Sequence, residues 1–225
     1  MKVETNGIMI ERLQEKDIEL VREWRNSDYI RNFMNFREYI TPEMQKKWFE
    51  SINNFNNFYF IIHYKGKKVG LGNIKNVNWE ERSGEAGVFV VDKNLLGSFL
   101  PVVGALTMSS LVFDIFDFHK LYAQIRVDNK RAKKFNRVFG YKMLPGEENK
   151  ESQMHILSKE DFYKSTKKFF ILMKTMGFST KNLKIVIEPV DFETDFAERI
   201  IKLIEQSPLL FDVKRTGNEI IYTEV

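Results

Sequence analysis

The chain has 225 residues, no cysteine, a formal net charge of +4 and 43% hydrophobic residues. This length suits one well-packed domain with a small appendage, and the lack of cysteine excludes disulfides, thiolate metal sites and thiol catalysis. No apolar run is long enough to span a bilayer and no charged-then-apolar segment opens the sequence, so we expect no membrane partner and a cytoplasmic location.

The first third of the chain predicts a strand, two helices and a hairpin. Residues 8–13 alternate between apolar and polar side chains, which is typical of a strand. A helix is predicted from Asp17 to about Arg25, and Thr41-Pro42-Glu43 begins another because a hydroxyl cap, a first-turn proline and an acid stand in order. Residues 58–64 and 68–74 predict an antiparallel hairpin, and the polar run 77–84 reads as a connector.

The central stretch, residues 85–141, predicts strand, loop, buried helix, strand and helix. The strand 85–91 is continuously apolar after Glu85, and a loop leads to Pro101 at the first turn of an apolar helix. A strand over 120–127 and a second helix closed by Gly140-Tyr141 follow. The loop before the first helix directs backbone N–H groups and the positive end of a helix dipole outward, which favours phosphate binding.

These residues resemble the acyl-CoA core of the GNAT acyltransferases over roughly residues 8–165. Asn94-Leu95-Leu96-Gly97 matches the first half of that family's pyrophosphate loop, and Asn129, Ala132, Gly140 and Tyr141 match its second helix. The resemblance implies acetyl-CoA as co-substrate and a mixed α/β GNAT fold, with a mostly antiparallel sheet in which one parallel pair splays. The cofactor-binding residues that it implies are Val90, Val91, Leu96, Gly97, Ser98, Phe99, Leu100 and Asn129.

Two positions depart from the family pattern. Phe99 stands where close approach of the backbone to a ligand favours Gly or Ala. Asn136 stands where the family often carries a tyrosine as general acid, so no general acid is assigned.

The resemblance also suggests how an acceptor is bound and activated. A glutamate at the position of Glu85 can act through water as the base toward the incoming amine, which must lose a proton before it attacks a thioester. The alternative is an exposed strand-end carboxylate without a role. Trp24, Arg25 and Asn26 resemble the branch that acetylates nucleotide-linked amino sugars. The chemistry agrees, since an arginine can bind diphosphate through two hydrogen bonds. Trp24 and Trp48 also fit a purely structural role in the core.

The C-terminal third predicts two further strands, a long helix and a small βαββ extension. A turn at Pro145-Gly146 joins strands 141–144 and 153–157, and Ser158 caps a helix that ends near Gly177. We divide the chain into a GNAT domain, residues 1–177, and an extension, residues 178–225. The extension is too small to fold alone, so we expect it to dock on the core or on a second copy, which leaves a homodimer open.

The expected activity is acetyl transfer to the primary amine of a small-molecule acceptor, first of all a nucleotide-linked amino sugar. A Rim-like acetylation of a protein N-terminus and a non-catalytic GNAT-fold binding module are the alternatives. Because the basic residues suit small anionic ligands, we expect no nucleic-acid partner. The three histidines lie far apart in sequence, so no metal site is expected.

Overall fold

The computed structural model describes residues 1–98, 100–177 and 183–225. Its strands are β1 Lys2–Thr5, β2 Ile8–Arg12, β3 Phe58–Tyr64, β4 Lys67–Asn78, β5 Ser83–Val90, β6 Lys120–Arg126, β7 Lys142–Met143, β8 Ser152–Ser158, β9 Lys184–Ile187, β10 Phe211–Thr216 and β11 Glu219–Glu224. Its α-helices are α1 Ile18–Asn26, α2 Asp28–Arg31, α3 Pro42–Ile52, α4 Leu100–Ser110, α5 Lys130–Phe139, α6 Lys159–Thr175 and α7 Phe196–Gln206.

The described strands form one mixed sheet in the order β10-β11-β9-β1-β2-β3-β4-β5-β6-β8-β7. Neighbouring strands pair antiparallel, except that β5 and β6 are parallel. A mixed α/β sheet with one parallel pair was predicted, and it is confirmed.

Local signals in the sequence give several elements their ends. Thr41 caps α3 by accepting from the N–H of Met44 at 3.2 Å, and Ser158 caps α6 by accepting from Asp161 at 3.0 Å. Gly140 ends α5 with φ of +101°, a conformation that glycine adopts without strain. The hairpin predicted around residues 65–67 is confirmed as β3–β4.

Three features differ from the sequence-based expectation. The first is β1, which was not predicted and pairs with both β2 and β9. The second is the stretch 77–84, half of which belongs to β4 and β5 instead of to a polar connector. Trp79 at its turn stacks on Phe55 with ring centroids 5.0 Å apart and donates to the Phe55 carbonyl at 3.1 Å. The third is a π-helical turn, Leu111–Ile115, that follows α4.

The two faces of the sheet carry different layers. One face packs against α4, α5, α6 and α7 around a large buried cluster that includes Phe58, Phe60 and Phe113. The other face packs against α1 and α3 around a small cluster that includes Ile61 and Leu71. Because side chains alternate along a strand, consecutive residues of β3 serve opposite clusters.

The C-terminal residues dock on the core. β9 continues the sheet beside β1, and Phe196, Ile200 and Ile204 of α7 are buried in the large cluster. Arg12 of β2 lies 3.7 Å above the Phe196 ring and pairs with Asp191 at 3.1 Å. The expected docking of the extension is therefore confirmed, while the division at residue 177 stays a prediction.

Within the part of the chain that the structure describes, no helix has the length and apolar character needed to cross a membrane.

Candidate active site

A fork opens in the middle of the sheet, where β5 and β6 part. Their parallel pairing covers only Ser83–Glu85 against Lys120–Tyr122. Beyond it, β5 continues to Val90 and β6 to Arg126 without pairing to each other. The edge of β5 that faces this fork therefore keeps unpaired backbone donors and acceptors, which can bind a ligand that carries amide groups.

The loop between β5 and α4 lies at the open end of the fork and is partly closed by its own hydrogen bonds. The N–H groups of Leu96 and Ser98 donate to carbonyls three residues earlier, at 3.2 and 3.1 Å. The N–H of Leu100 donates to the Ser98 hydroxyl at 3.2 Å. Gly97 faces open space, since an added Cβ there would meet nothing within 4 Å. Phe99 lies outside the described residues.

The other residues expected at the cofactor have defined structural positions. Val90 is buried, and the N–H of Val91 donates to the Val69 carbonyl at 2.9 Å. Asn129 follows β6 and caps α5 by accepting from the Ala132 N–H at 3.0 Å. All of these assignments to the cofactor stay predictions.

Glu85 is the last residue of β5 to pair with β6, so its position marks the base of the fork. Its carboxylate pairs with Lys75 at 2.9 Å and accepts from Asn76 Nδ2 at 3.3 Å. The exposed fraction of its side chain is 17%. A half-buried carboxylate at this point can receive a proton through water, while its partners fix its orientation.

Arg25 projects from the end of α1 toward the same face of the sheet. Its Nε atom is buried and has no hydrogen-bond partner among the described residues. Burial lowers the pKa of the Arg25 guanidinium from its ordinary value. Burial also raises the pKa of Tyr59, while the charge of Arg25 lowers it and that of Glu85 raises it. Tyr59 on β3 is therefore close enough to both the arginine and the glutamate for their charges to influence it.

Trp24 and Asn26, predicted with Arg25 as substrate-binding residues, have different surroundings. Trp24 packs edge-on against Phe89, with ring centroids 6.3 Å apart. The amide of Asn26 donates to the Ile40 carbonyl at 2.9 Å and accepts from the Ile40 N–H at 2.8 Å. Asn26 thus holds the chain before α3 in place. Substrate contact by either residue stays a prediction.

The segment of residues 28–41, here called the cross-fork segment, contacts residues on both sides of the fork. On the β5 side, Lys93 Nζ lies 4.6 Å from the centroid of the Tyr29 ring. On the β6 side, Asn35 donates to Gln124 at 2.8 Å and accepts from Ser152 at 3.0 Å. Exposed aromatic side chains lie along this segment: Phe33, Phe36 and Tyr39.

Sequence reasoning missed two polar residues on this face, Tyr59 and Asn73. The register places Tyr59 opposite Asn73 and Asn73 opposite Gly87 of β5, in one row across the sheet. Their alternation with apolar neighbours in β3 and β4 was visible, but the row appears only once the strand register is known. Among the described residues, no group of three or more acidic or histidine side chains is placed to hold a metal ion.

Residues 10–154 match the model of the acetyltransferase (GNAT) domain, which is more than half of the chain. The chain belongs to the GNAT acetyltransferase family. Membership makes it an N-acyltransferase of the acetyl-CoA-dependent type. Among proteins of curated function, none matches this chain in sequence.

Solved structures with the same fold come from several organisms and activities. A domain from Methanocaldococcus jannaschii is 20% identical, with a TM-score of 0.58 over 69% of this chain and 99% of that one. Apo FdhC, described as a nucleotide-linked sugar GNAT, is 17% identical, with a TM-score of 0.63 over 75% and 96%. Spermidine N-acetyltransferase from Vibrio cholerae, in complex with CoA and spermine, is 15% identical, with a TM-score of 0.58 over 69% and 98%. At these identities the likeness establishes the GNAT fold.

Proposed function

We propose that this GNAT enzyme transfers the acetyl group of acetyl-CoA to a primary amine on an acceptor that carries an anionic group. A nucleotide-linked amino sugar is the first choice. The observation that carries the proposal is Arg25, whose buried Nε has no partner among the described residues. Leaving a buried charged donor unpaired is costly, and an anionic ligand group removes that cost.

The same observation argues against a polyamine acceptor. A polyamine needs carboxylates that face its ammonium groups, but Glu85 at the fork is already paired with Lys75 at 2.9 Å. The guanidinium of Arg25, on the same face of the sheet, would repel a further cation. The fold is shared with both sugar-directed and spermidine-directed enzymes, so the charges at this site are what favours an anionic acceptor.

The fork suits the co-substrate in shape and in chemistry. The unpaired edge of β5 beyond Glu85 offers N–H and C=O groups to the amides of a pantetheine arm. The loop that includes Gly97 leads into α4, whose N-terminus favours a pyrophosphate through its dipole. Gly97 has the open space that close approach of a phosphate requires.

The proposed reaction needs no covalent enzyme intermediate, which agrees with the lack of cysteine. A C–N bond forms between the amine and the acetyl carbon, and the C–S bond to CoA breaks. Glu85 receives the amine's proton through water. Asn136 donates to the Ala132 carbonyl of its own helix at 2.9 Å, so the leaving thiolate takes its proton from water instead. This suffices because thiolates are weakly basic leaving groups.

Inhibition by a free nucleoside diphosphate tests the acceptor class. UDP should compete with the acceptor in the wild type. Substitution of Arg25 by alanine should weaken that inhibition by roughly 10- to 150-fold, because an arginine bound to phosphate contributes about 1.5–3 kcal/mol. Arg25→Lys keeps the charge but loses the bidentate geometry. UDP should therefore inhibit it less strongly than the wild type and more strongly than Arg25→Ala. The KM for acetyl-CoA should stay nearly unchanged in both variants.

Arg31→Ala is the matched control, since Arg31 is exposed in part and already pairs with Asp28 at 2.6 Å. UDP should inhibit the Arg31→Ala variant as strongly as it inhibits the wild type. An enzyme that acetylates amines but binds no nucleoside diphosphate at millimolar concentration would overturn the nucleotide-sugar acceptor. Acetylation of peptide N-termini would then support the Rim-like alternative, and no transfer to any amine would support the binding module.

A further inference from the structure

Three neighbouring strands place one residue each in a row on the Arg25 side of the sheet. Tyr59 of β3 pairs with Asn73 of β4, and Asn73 pairs with Gly87 of β5. Residues that are directly opposite each other in a sheet point to the same face. Glu85 and its opposite residue Lys75 form the next row on that face.

The side chain of Asn73 leans across β5 because Gly87 has no side chain. A Cβ added to Gly87 would lie 2.7 Å from Asn73 Oδ1, closer than real contacts of this kind. Gly87 is two residues beyond the last β5–β6 pair, so it borders the open fork. The carboxamide of Asn73 therefore reaches from β4 over β5 toward the fork.

The hydrogen-bonding capacity of this carboxamide is unused. Asn73 is half-buried, and none of the side-chain hydrogen bonds among the described residues involves it. The two later asparagines of β4 are both occupied: Asn76 donates to Glu85 at 3.3 Å, and Asn78 accepts from the Glu81 N–H at 2.9 Å. A half-buried amide without a partner, at the edge of a cleft, is suited to bind a polar ligand group.

We propose that Asn73 binds the acceptor's amino nitrogen at the fork, and that Gly87 provides the space for its carboxamide. This rests on the proposed acetyl transfer. The Oδ1 atom accepts a hydrogen bond from the amine N–H but cannot take the proton, so the nitrogen lone pair stays free to form the C–N bond. The proton leaves through water to Glu85, one row away on the same face, as the C–S bond breaks.

A double-mutant cycle tests the pairing of the two residues. Asn73→Ala should lower kcat/KM for the acceptor by about 10- to 100-fold, with the KM for acetyl-CoA unchanged. Gly87→Ala displaces the Asn73 carboxamide and should lower kcat/KM for the acceptor by a similar factor. The double variant should be no more than about twofold worse than Asn73→Ala, because residues that act as a unit are not additive. Multiplicative losses, or a raised KM for acetyl-CoA in Gly87→Ala, would overturn the inference.

Asn73→Asp gives an independent readout with a side chain of the same size. Its negative charge beside the bound amine stabilises the ammonium form, so the acid limb of the kcat profile, which reports groups in the enzyme–substrate complex, should move up by about one pH unit or more. A merely structural role predicts no such move. An active wild type with unchanged Asn73→Ala and Asn73→Asp variants overturns only this inference. A wild type that acetylates no amine overturns the proposed function as well.

Discussion

The two faces of the central sheet differ in how polar their side chains are. The face under α4 to α7 is a continuous apolar layer in which aromatic rings contact each other. The ring centroids of Phe58 and Phe116, for example, are 4.9 Å apart. The face under α1 and α3 has a small apolar cluster at one side and a polar region at the other. In that region Arg25 and Asn73 have no partners among the described residues.

This difference separates stability from function. Burial of large apolar side chains is the main stabilising contribution in folding, and the first face provides most of it. The second face keeps polar groups whose hydrogen bonds no described residue provides, so they are available to a ligand. Adjacent residues of one strand can therefore have unrelated roles.

The largest effect should come from Phe58 on the apolar face. Phe58 is 2% exposed and contacts the rings of Phe55, Trp79, Phe116 and Phe196. Phe58→Ala should lower the free energy of unfolding by about 3–5 kcal/mol, since it leaves a cavity in a close-packed cluster. Its neighbour on the opposite face provides the control: Tyr59→Phe should change that energy by less than about 1 kcal/mol. Urea unfolding measures both, and equal losses would refute the contrast.

A smaller effect, on catalysis, should separate Glu85 from Asn136. Glu85→Gln removes the proton acceptor but keeps the size of the side chain, so kcat/KM should fall about 10- to 1,000-fold. Asn136→Ala loses only a hydrogen bond within α5 and should cost less than about tenfold. Steady-state kinetics with acetyl-CoA at saturation compares them. The reverse ranking would remove Glu85 from its assigned role.

The smallest effect concerns the pH dependence of stability at His63 of β3. Burial lowers the pKa of His63 from its ordinary value of 6.5, and Glu11, whose Oε2 lies 3.0 Å from Nε2, opposes that shift. As the pH falls through 6.5, the unfolded chain binds a proton that the folded one does not yet bind, so stability declines.

His63→Gln should therefore reduce the loss of stability between pH 7.5 and 5.5, by at most about 1 kcal/mol. The exposed His119 gives the matched control, His119→Gln. Chemical denaturation at several pH values measures the difference. A steeper decline in His63→Gln than in the wild type would contradict the stated direction of the shift.

Features with a local cause could be predicted from the sequence. The caps at Thr41 and Ser158 and the hairpin β3–β4 depend on residues within a few positions of each other. The family pattern then identified the fork, since it spans one strand–helix–strand unit. For this reason the GNAT core could be predicted in outline.

Features that depend on distant partners could not be predicted. β1 is a short strand that becomes regular only between β2 and β9, a strand about 180 residues later. The side chain of Asn26 is occupied by two hydrogen bonds to the backbone of Ile40, which is 14 residues away in the sequence. The approach of Asn73 to Gly87 follows from strand register, which one residue of slip would abolish.

The position of β1 in the sheet also determines when the molecule can be completed during synthesis. β1 leaves the ribosome before the acetyltransferase core, and its neighbour β9 follows only after that core has been made. Until then one edge of β1 has free backbone groups that could pair with another nascent chain. Lys2 and Glu4, on this short strand, are charged and so discourage such pairing. The nascent chain must therefore keep an incomplete sheet in solution until β9 emerges.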